Sequence, residues 1–121
     1  PNSHAAYDGM EIQILDDSAE MYKNIKPYQH HGSVYGTVPA KTGHLKPVGE
    51  WNQEVVIAHG PWITVILNGT VIVDADVHKA STPKTIDGRD HPGLKRTDGR
   101  IGFLGHGTVV EFRDILIEEL K

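Results

Sequence analysis

The sequence contains no cysteine, which excludes a disulfide framework, a thiol nucleophile and a thiolate metal site, and leaves the redox compartment open. It has no uninterrupted apolar run near the ~20 residues that a membrane-spanning helix needs. There is no block of Lys or Arg, and 12 basic against 16 acidic residues give a formal charge of −4. Without a basic stripe the electrostatic footprint of nucleic-acid binding is missing, so DNA and RNA are poor partners. Long helices are also excluded, because 13 Gly and 7 Pro punctuate only 121 residues and both residue types disfavour helix interiors. What is present is a turn-rich β composition, with 38% hydrophobic residues and a length that suits one domain. The eight histidines need an explanation.

The chain begins at Pro1 rather than Met, and no basic segment followed by an apolar one precedes the first strand pattern. The expectation is that upstream residues have been removed or omitted. From Gly9 to Asp16 apolar Met10, Ile12 and Ile14 alternate with Glu11 and Gln13, the pattern of a strand with one dry face. Residues 17–50 are dense in Gly, Pro and His and read as loop around one short strand, Ser33 to Val38. The strongest local signal is Trp62 to Leu67, then Asn68-Gly69, then Thr70 to Asp74. Asn-Gly supplies the positive φ that a type I′ turn requires at both central positions, so this predicts a two-residue hairpin. Gln53 to Ala58 precedes it as a third strand of a meander. Residues 76–99 read as a long loop, usually a functional or mobile feature. Arg100 to Leu104, a Gly105-His106-Gly107 turn and a strand from Thr108 to Leu120 close the chain. In that last strand the apolar parity changes between Phe112 and Ile115, which calls for a bulge or bend near Arg113-Asp114. About six strands with short turns predict an all-β antiparallel sandwich or jelly roll.

Glu11 and Gln13 are two apart, so in a strand they emerge on one face about 7 Å from each other. A carboxylate beside an amide suits sugar hydroxyls, a metal ion or general-base chemistry, and equally suits a solvated sheet face. Asp16 and Asp17 could join such a site or simply form a turn. Adjacent His30 and His31 point opposite ways in an extended chain, so at most one faces a given site, and a zinc site would need ligands scattered over the sequence. His106 lies between two glycines, where small neighbours leave room for a ligand. Trp51, flanked by Glu50 and Asn52, could serve as a sugar platform or as core, and Tyr35 carries the same ambiguity. Arg113 could clamp an anion or an enolate oxygen, or pair with Glu111 or Asp114. His44, His59, His78 and His91 read as exposed loop residues. No Ser-His-Asp order, Walker loop, dinucleotide-binding glycine pattern or metalloprotease motif occurs.

Five segments taken in order resemble the 3-keto-disaccharide hydrolase domain family. They are Gly9-Met10-Glu11-Ile12-Gln13-Ile14-Leu15-Asp16, His31-Gly32-Ser33-Val34-Tyr35-Gly36, Pro47-Val48-Gly49-Glu50-Trp51-Asn52, Leu67-Asn68-Gly69, and Ile101 to Gly107 followed by Glu111-Phe112-Arg113. The resemblance implies a concanavalin-like β-jelly roll, a periplasmic or secreted location, and action on glycosides oxidised at C3 of a sugar ring. It also implies that the domain has further strands upstream, so that residues 1–121 are the C-terminal part of a single domain and the missing strands are its first partner. Many relatives carry Gln-Asp-His-Gly where this chain has Leu104-Gly105-His106-Gly107, so a role for that acid does not transfer.

The implied chemistry is elimination. A ketone at C3 acidifies the C2 proton, a base removes it, the glycosidic oxygen leaves, and water adds to the enone. Such a site needs a base, a group for the enolate oxygen and an acid for the leaving group. The residues expected to supply them are Glu11 and His106 as base and acid, Gln13 and Arg113 on hydroxyls or the carbonyl, His31 at a motif position, and Trp51 and Tyr35 stacking on the sugar. A divalent metal could hold the keto oxygen. The alternatives are a non-catalytic carbohydrate-binding module and a structural β-sandwich of a larger protein.

Overall fold

The computed structural model describes residues 4–121. Its centre is an antiparallel three-stranded sheet in the order β1 (Glu54–His59), β2 (Trp62–Leu67) and β3 (Thr70–Asp76). The β2–β3 connection is the predicted one: Asn68 and Gly69 take φ values of 50° and 84°, and Leu67 faces Thr70 across the turn. Asn68 also ties the hairpin to the preceding loop. Its Oδ1 accepts from Gln53 N–H at 3.0 Å, and its Nδ2 donates to the His44 carbonyl and to Asn52 Oδ1.

The ladder between β2 and β3 slips by one residue, with Val65 facing Val73 and Ile66 facing Val71. Ile72 is the extra residue. A bulge lets two consecutive side chains turn the same way, and Ile72 and Val73 are both buried. The Ile72 carbonyl, released from the ladder, accepts from Lys41 N–H at 2.9 Å. Ile63, Val65 and Leu67 of β2 bury the same face together with Val34, Ala40, Val77 and Leu94, and Ile12, Val38 and Leu45 pack against this cluster. Gly32 has φ +80°, and a Cβ there would run into the Ile72 side chain. The absence of a side chain is what lets the 31–34 segment lie on the bulge.

Two helical turns complete the frame: α1 (Ala5–Asp8), which packs on the turn at Pro92–Lys95, and α2 (Val77–Ala80) beside β3, where Asp76 caps the first turn by accepting from the N–H groups of His78 and Lys79. The region 76–99 is therefore not an open loop. It holds α2 and a 3₁₀ turn at Pro92–Lys95, and it buries Val77, Thr85, His91, Gly93 and Leu94.

Three predicted strands take other forms. Residues 9–16 are extended, but only Ile12 makes a bridge, to Val34. The partner segment turns immediately afterwards: Val34 and Val38 bond each other in both directions around Gly36, whose φ is +73°. Ser33 to Val38 is thus a tight turn, and a turning partner cannot extend a ladder. Residues 101–121 are extended without pairing. Within them Gly107 takes φ 83° and Asp114 φ 52°, the latter at the place where the apolar parity changes. The rings of Phe103 and Phe112 lie 4.2 Å apart across the Gly107 bend. The chain is β-rich with little helix, as the composition implies, and the described residues form one sheet rather than a two-sheet sandwich.

Candidate functional site

Residues 11–15 run antiparallel beside 31–35. Tyr35 N–H donates to the Glu11 carbonyl at 3.0 Å, Gln13 N–H to Ser33 at 3.0 Å, and Gly32 N–H to Gln13 at 2.7 Å. Ile12 packs towards the core, so alternation turns Glu11 and Gln13 to the other side. Glu11 is half-buried. Burial pushes its carboxyl up from the ordinary glutamate value, and the charge of His106 pulls it back only part of the way. The fold therefore brings into electrostatic range two residues 95 positions apart. A carboxyl made more basic by desolvation, with an imidazole within electrostatic range, is a suitable proton acceptor.

The other predicted residues are placed as follows. Gln13 folds back so that its Oε1 accepts from Ile14 N–H at 3.2 Å. Tyr35 accepts at its hydroxyl from Gln29 Nε2 at 3.1 Å and meets Tyr28 edge-on. His31 is buried, with both ring nitrogens engaged. Its Nδ1 accepts from Leu15 N–H at 3.2 Å, which leaves the proton on Nε2 to donate to Glu54 Oε2 at 2.6 Å. His31 thus clips the 13–17 segment to β1. Asp16 makes a turn, accepting from the backbone and hydroxyl of Ser18. Asp17 accepts from His31 N–H at 2.9 Å and pairs with His30 Nδ1 at 3.1 Å. The Arg113 guanidinium stacks 4.1 Å from the centre of the exposed Trp51 ring. No hydrogen bond or ion pair among the described residues links that stack to Glu11. Nor do three His, Asp or Glu side chains among the described residues converge at metal-ligand spacing. Among the described residues the ligand set that a divalent ion on the keto oxygen would need is therefore not assembled.

His91 corrects an expectation. It is buried, not exposed, and its ring is enclosed by acceptors: the Ala6 carbonyl at 3.1 Å from Nδ1 and Asp87 Oδ2 at 2.8 Å from Nε2. Both nitrogens face groups that can only accept, and the ring is fixed against the Asp87 carboxylate. Burial pushes the Asp87 carboxyl up. Hydrogen bonds from Thr85, Arg89 N–H and His91, together with the His91 charge, more than offset this and hold it below the ordinary aspartate value. Gly36 lies against the pair, and a Cβ there would overlap both Asp87 and His91. In the sequence Asp87 and His91 are four residues apart with Gly88 between them and Gly93 just beyond, in a stretch whose few apolar residues gave no sign of burial.

Among the described residues no helix is long and apolar enough to cross a membrane. The family model for the 3-keto-alpha-glucoside-1,2-lyase-like domain matches residues 1–118. A crystal structure of a protein provisionally called a glycosyl hydrolase, from Parabacteroides distasonis ATCC 8503, is similar at 40% identity with a TM-score of 0.60. The match covers 70% of this chain and 44% of that one, so this chain spans less than half the length of the solved relative. No curated protein matches the sequence.

Proposed function

From the premise that this chain belongs to the 3-keto-alpha-glucoside-1,2-lyase-like domain family, we propose that it is the C-terminal part of an enzyme domain that cleaves 3-keto-glycosides by base-assisted elimination. The observation that carries the reading is the coupling of Glu11 to His106, with the Glu11 carboxyl raised by burial.

In the proposed reaction Glu11 takes the C2 proton, which the adjacent C3 ketone has acidified. The C–H electron pair forms the C1–C2 double bond, and the C1–O bond breaks. His106 delivers a proton to the departing glycosidic oxygen. Addition of water across the new double bond then gives the net products of hydrolysis. The negative charge that develops on the keto oxygen needs a donor, a role we assign to Arg113, whose guanidinium stacks on the exposed Trp51 ring. The exposed part of the Trp51 ring that Arg113 does not cover would offer the apolar platform that pyranose C–H groups use. The reaction differs from ordinary glycoside hydrolysis in needing no pair of carboxylates across the scissile bond.

The test is release of the aglycone from a 3-keto-glucoside by the full-length protein. Glu11→Gln and His106→Ala should each slow release by ~100-fold or more, the scale of general acid–base catalysis. The His106 charge lowers the Glu11 carboxyl, so in His106→Ala the carboxyl should titrate at higher pH by NMR, and the acid limb of the residual rate should move the same way. Unchanged turnover in both variants would overturn the reading. Sugar binding without turnover, lost in Trp51→Ala, would favour a carbohydrate-binding module.

A further inference from the structure

The chain is acidic overall, yet residues 84–100 concentrate Lys84, Arg89, Lys95, Arg96 and Arg100, five of its 12 basic residues. The first three line one cavity of about 320 Å³, with Thr85 and His91 on its wall and Asp90 as a lining carboxylate. The nearby Asp87 does not line the cavity, and its carboxylate is turned to His91, Thr85 and Arg89 N–H rather than to these cations. Among the described residues Lys84, Arg89 and Lys95 form no ion pair, and none of their side-chain N–H groups donates to a protein acceptor. Three cations round a concave surface with one carboxylate focus a positive field into the cavity.

The frame beneath these cations is built. Thr85 and His91 are buried. The Arg89 backbone is pinned on both sides, its N–H donating to Asp87 Oδ1 at 3.0 Å and its carbonyl accepting from Thr85 Oγ1 at 2.7 Å. The Arg89 guanidinium lies over the Tyr7 ring at 5.2 Å, and Tyr7 in turn packs edge-on against His91 at 4.9 Å. Stacking on Tyr7 orients the planar guanidinium while leaving its in-plane N–H groups for a ligand. A fixed arginine with two lysines suits a tetrahedral or carboxylate oxyanion, to which charge-assisted bonds are strongest. The carboxylate at the rim would repel a bare anion but would accept protons from hydroxyls beside one.

We propose that this cavity is an oxyanion-binding site, taking the phosphate group of a phosphorylated sugar or free phosphate. The inference stands on the Lys84, Arg89 and Lys95 geometry and is independent of the Glu11 reading.

The test is titration calorimetry of the full-length protein at low salt with glucose 6-phosphate, inorganic phosphate and uncharged glucose. Both anions should bind at millimolar or lower concentration, and added sodium chloride should weaken both. Arg89→Gln, Lys84→Ala and Lys95→Ala should each weaken anion binding about tenfold, the scale of one charged hydrogen bond, and should leave any glucose binding unaltered. All three side chains are exposed, so circular dichroism and melting of the variants should match the parent. If glucose 6-phosphate binds at least about tenfold tighter than phosphate and Asp90→Asn removes the difference, the ligand is the phosphorylated sugar. Equal affinities, unaffected by Asp90→Asn, identify free phosphate. Absence of anion binding, or anion binding unchanged in the triple variant, would overturn the proposal.

Discussion

Asp87 and His91 meet with their side chains almost wholly out of solvent, 1% exposed for the histidine and 6% for the aspartate. Removing one partner of such a buried pair leaves the polar group of the other without its match, which costs more than the pair contributes on its own account. Asp87→Asn keeps one oxygen for Thr85 and Arg89 N–H but turns an amide NH2 towards His91 Nε2 and removes the charge, and it should destabilise the fold by about 3 kcal/mol at neutral pH. The sign with pH follows from linkage. The folded carboxyl titrates below its ordinary value, so its stabilisation is present above the unfolded value and is lost as pH falls below about 4. Parent and variant melting temperatures should therefore differ at pH 7 and converge in acid, read by thermal denaturation monitored by circular dichroism. Parallel curves from neutral to acid would show that the pair adds nothing. At this scale the sequence was least legible. His91 looked like any loop histidine, because its burial comes from Gly36, Ala6 and Tyr7, residues up to 85 positions away, and no local pattern reports such a contact.

Among elements, the β2–β3 hairpin was readable because its information is local: two residues of positive φ set the turn, and the flanking β-branched runs set the strands. The bulge at Ile72 was not, because nothing in Val71-Ile72-Val73 says which neighbour yields; the core and Lys41 N–H decide it. The same distinction explains the terminal segments. Alternation in residues 9–16 correctly reported which side faces the core at Ile12, and the parity change near Asp114 correctly located a bend. Periodicity gives the face of an extended segment but not the partner that would complete its ladder. Glu11 and His106 were both legible as motif positions, whereas their mutual proximity is a product of the fold. Asn68 tests the local argument. Asn68→Ala puts an alanine at positive φ and leaves Gln53 N–H and the His44 carbonyl without their partner. It should cost about 2 kcal/mol, combining the backbone penalty with lost hydrogen bonds. Urea denaturation should show a lower midpoint with an unchanged slope, whereas a stability equal to the parent would mean that the turn tolerates any residue.

For the whole molecule, the unevenness of burial matters most. β3 is closed on one side by Lys41 N–H, but β1 is an open edge, and Val55, Val56 and Ile57 along it are 43%, 45% and 37% exposed. The sheet face opposite the core carries Trp62 and Val71, also exposed, and the unpaired segment after Gly107 exposes Val109 and Leu116 almost completely. An open edge rich in β-branched residues next to an extended apolar segment is a template for strand addition. The 121-residue chain by itself should therefore associate with its own copies as concentration rises, seen as a growing sedimentation coefficient and strong binding of a hydrophobic dye. Glu54 is committed to His31 at the start of β1, so the edge can be altered further along without touching that clip. Ile57→Lys, opposite Thr64 on the face away from the core, places a charge in the middle of the edge, where it should suppress association while leaving the β2–β3 hairpin and its melting intact. A chain that stays monomeric and dye-free at high concentration would show that this edge is not used. Association that persists in Ile57→Lys would place the contact on the segment after Gly107 instead.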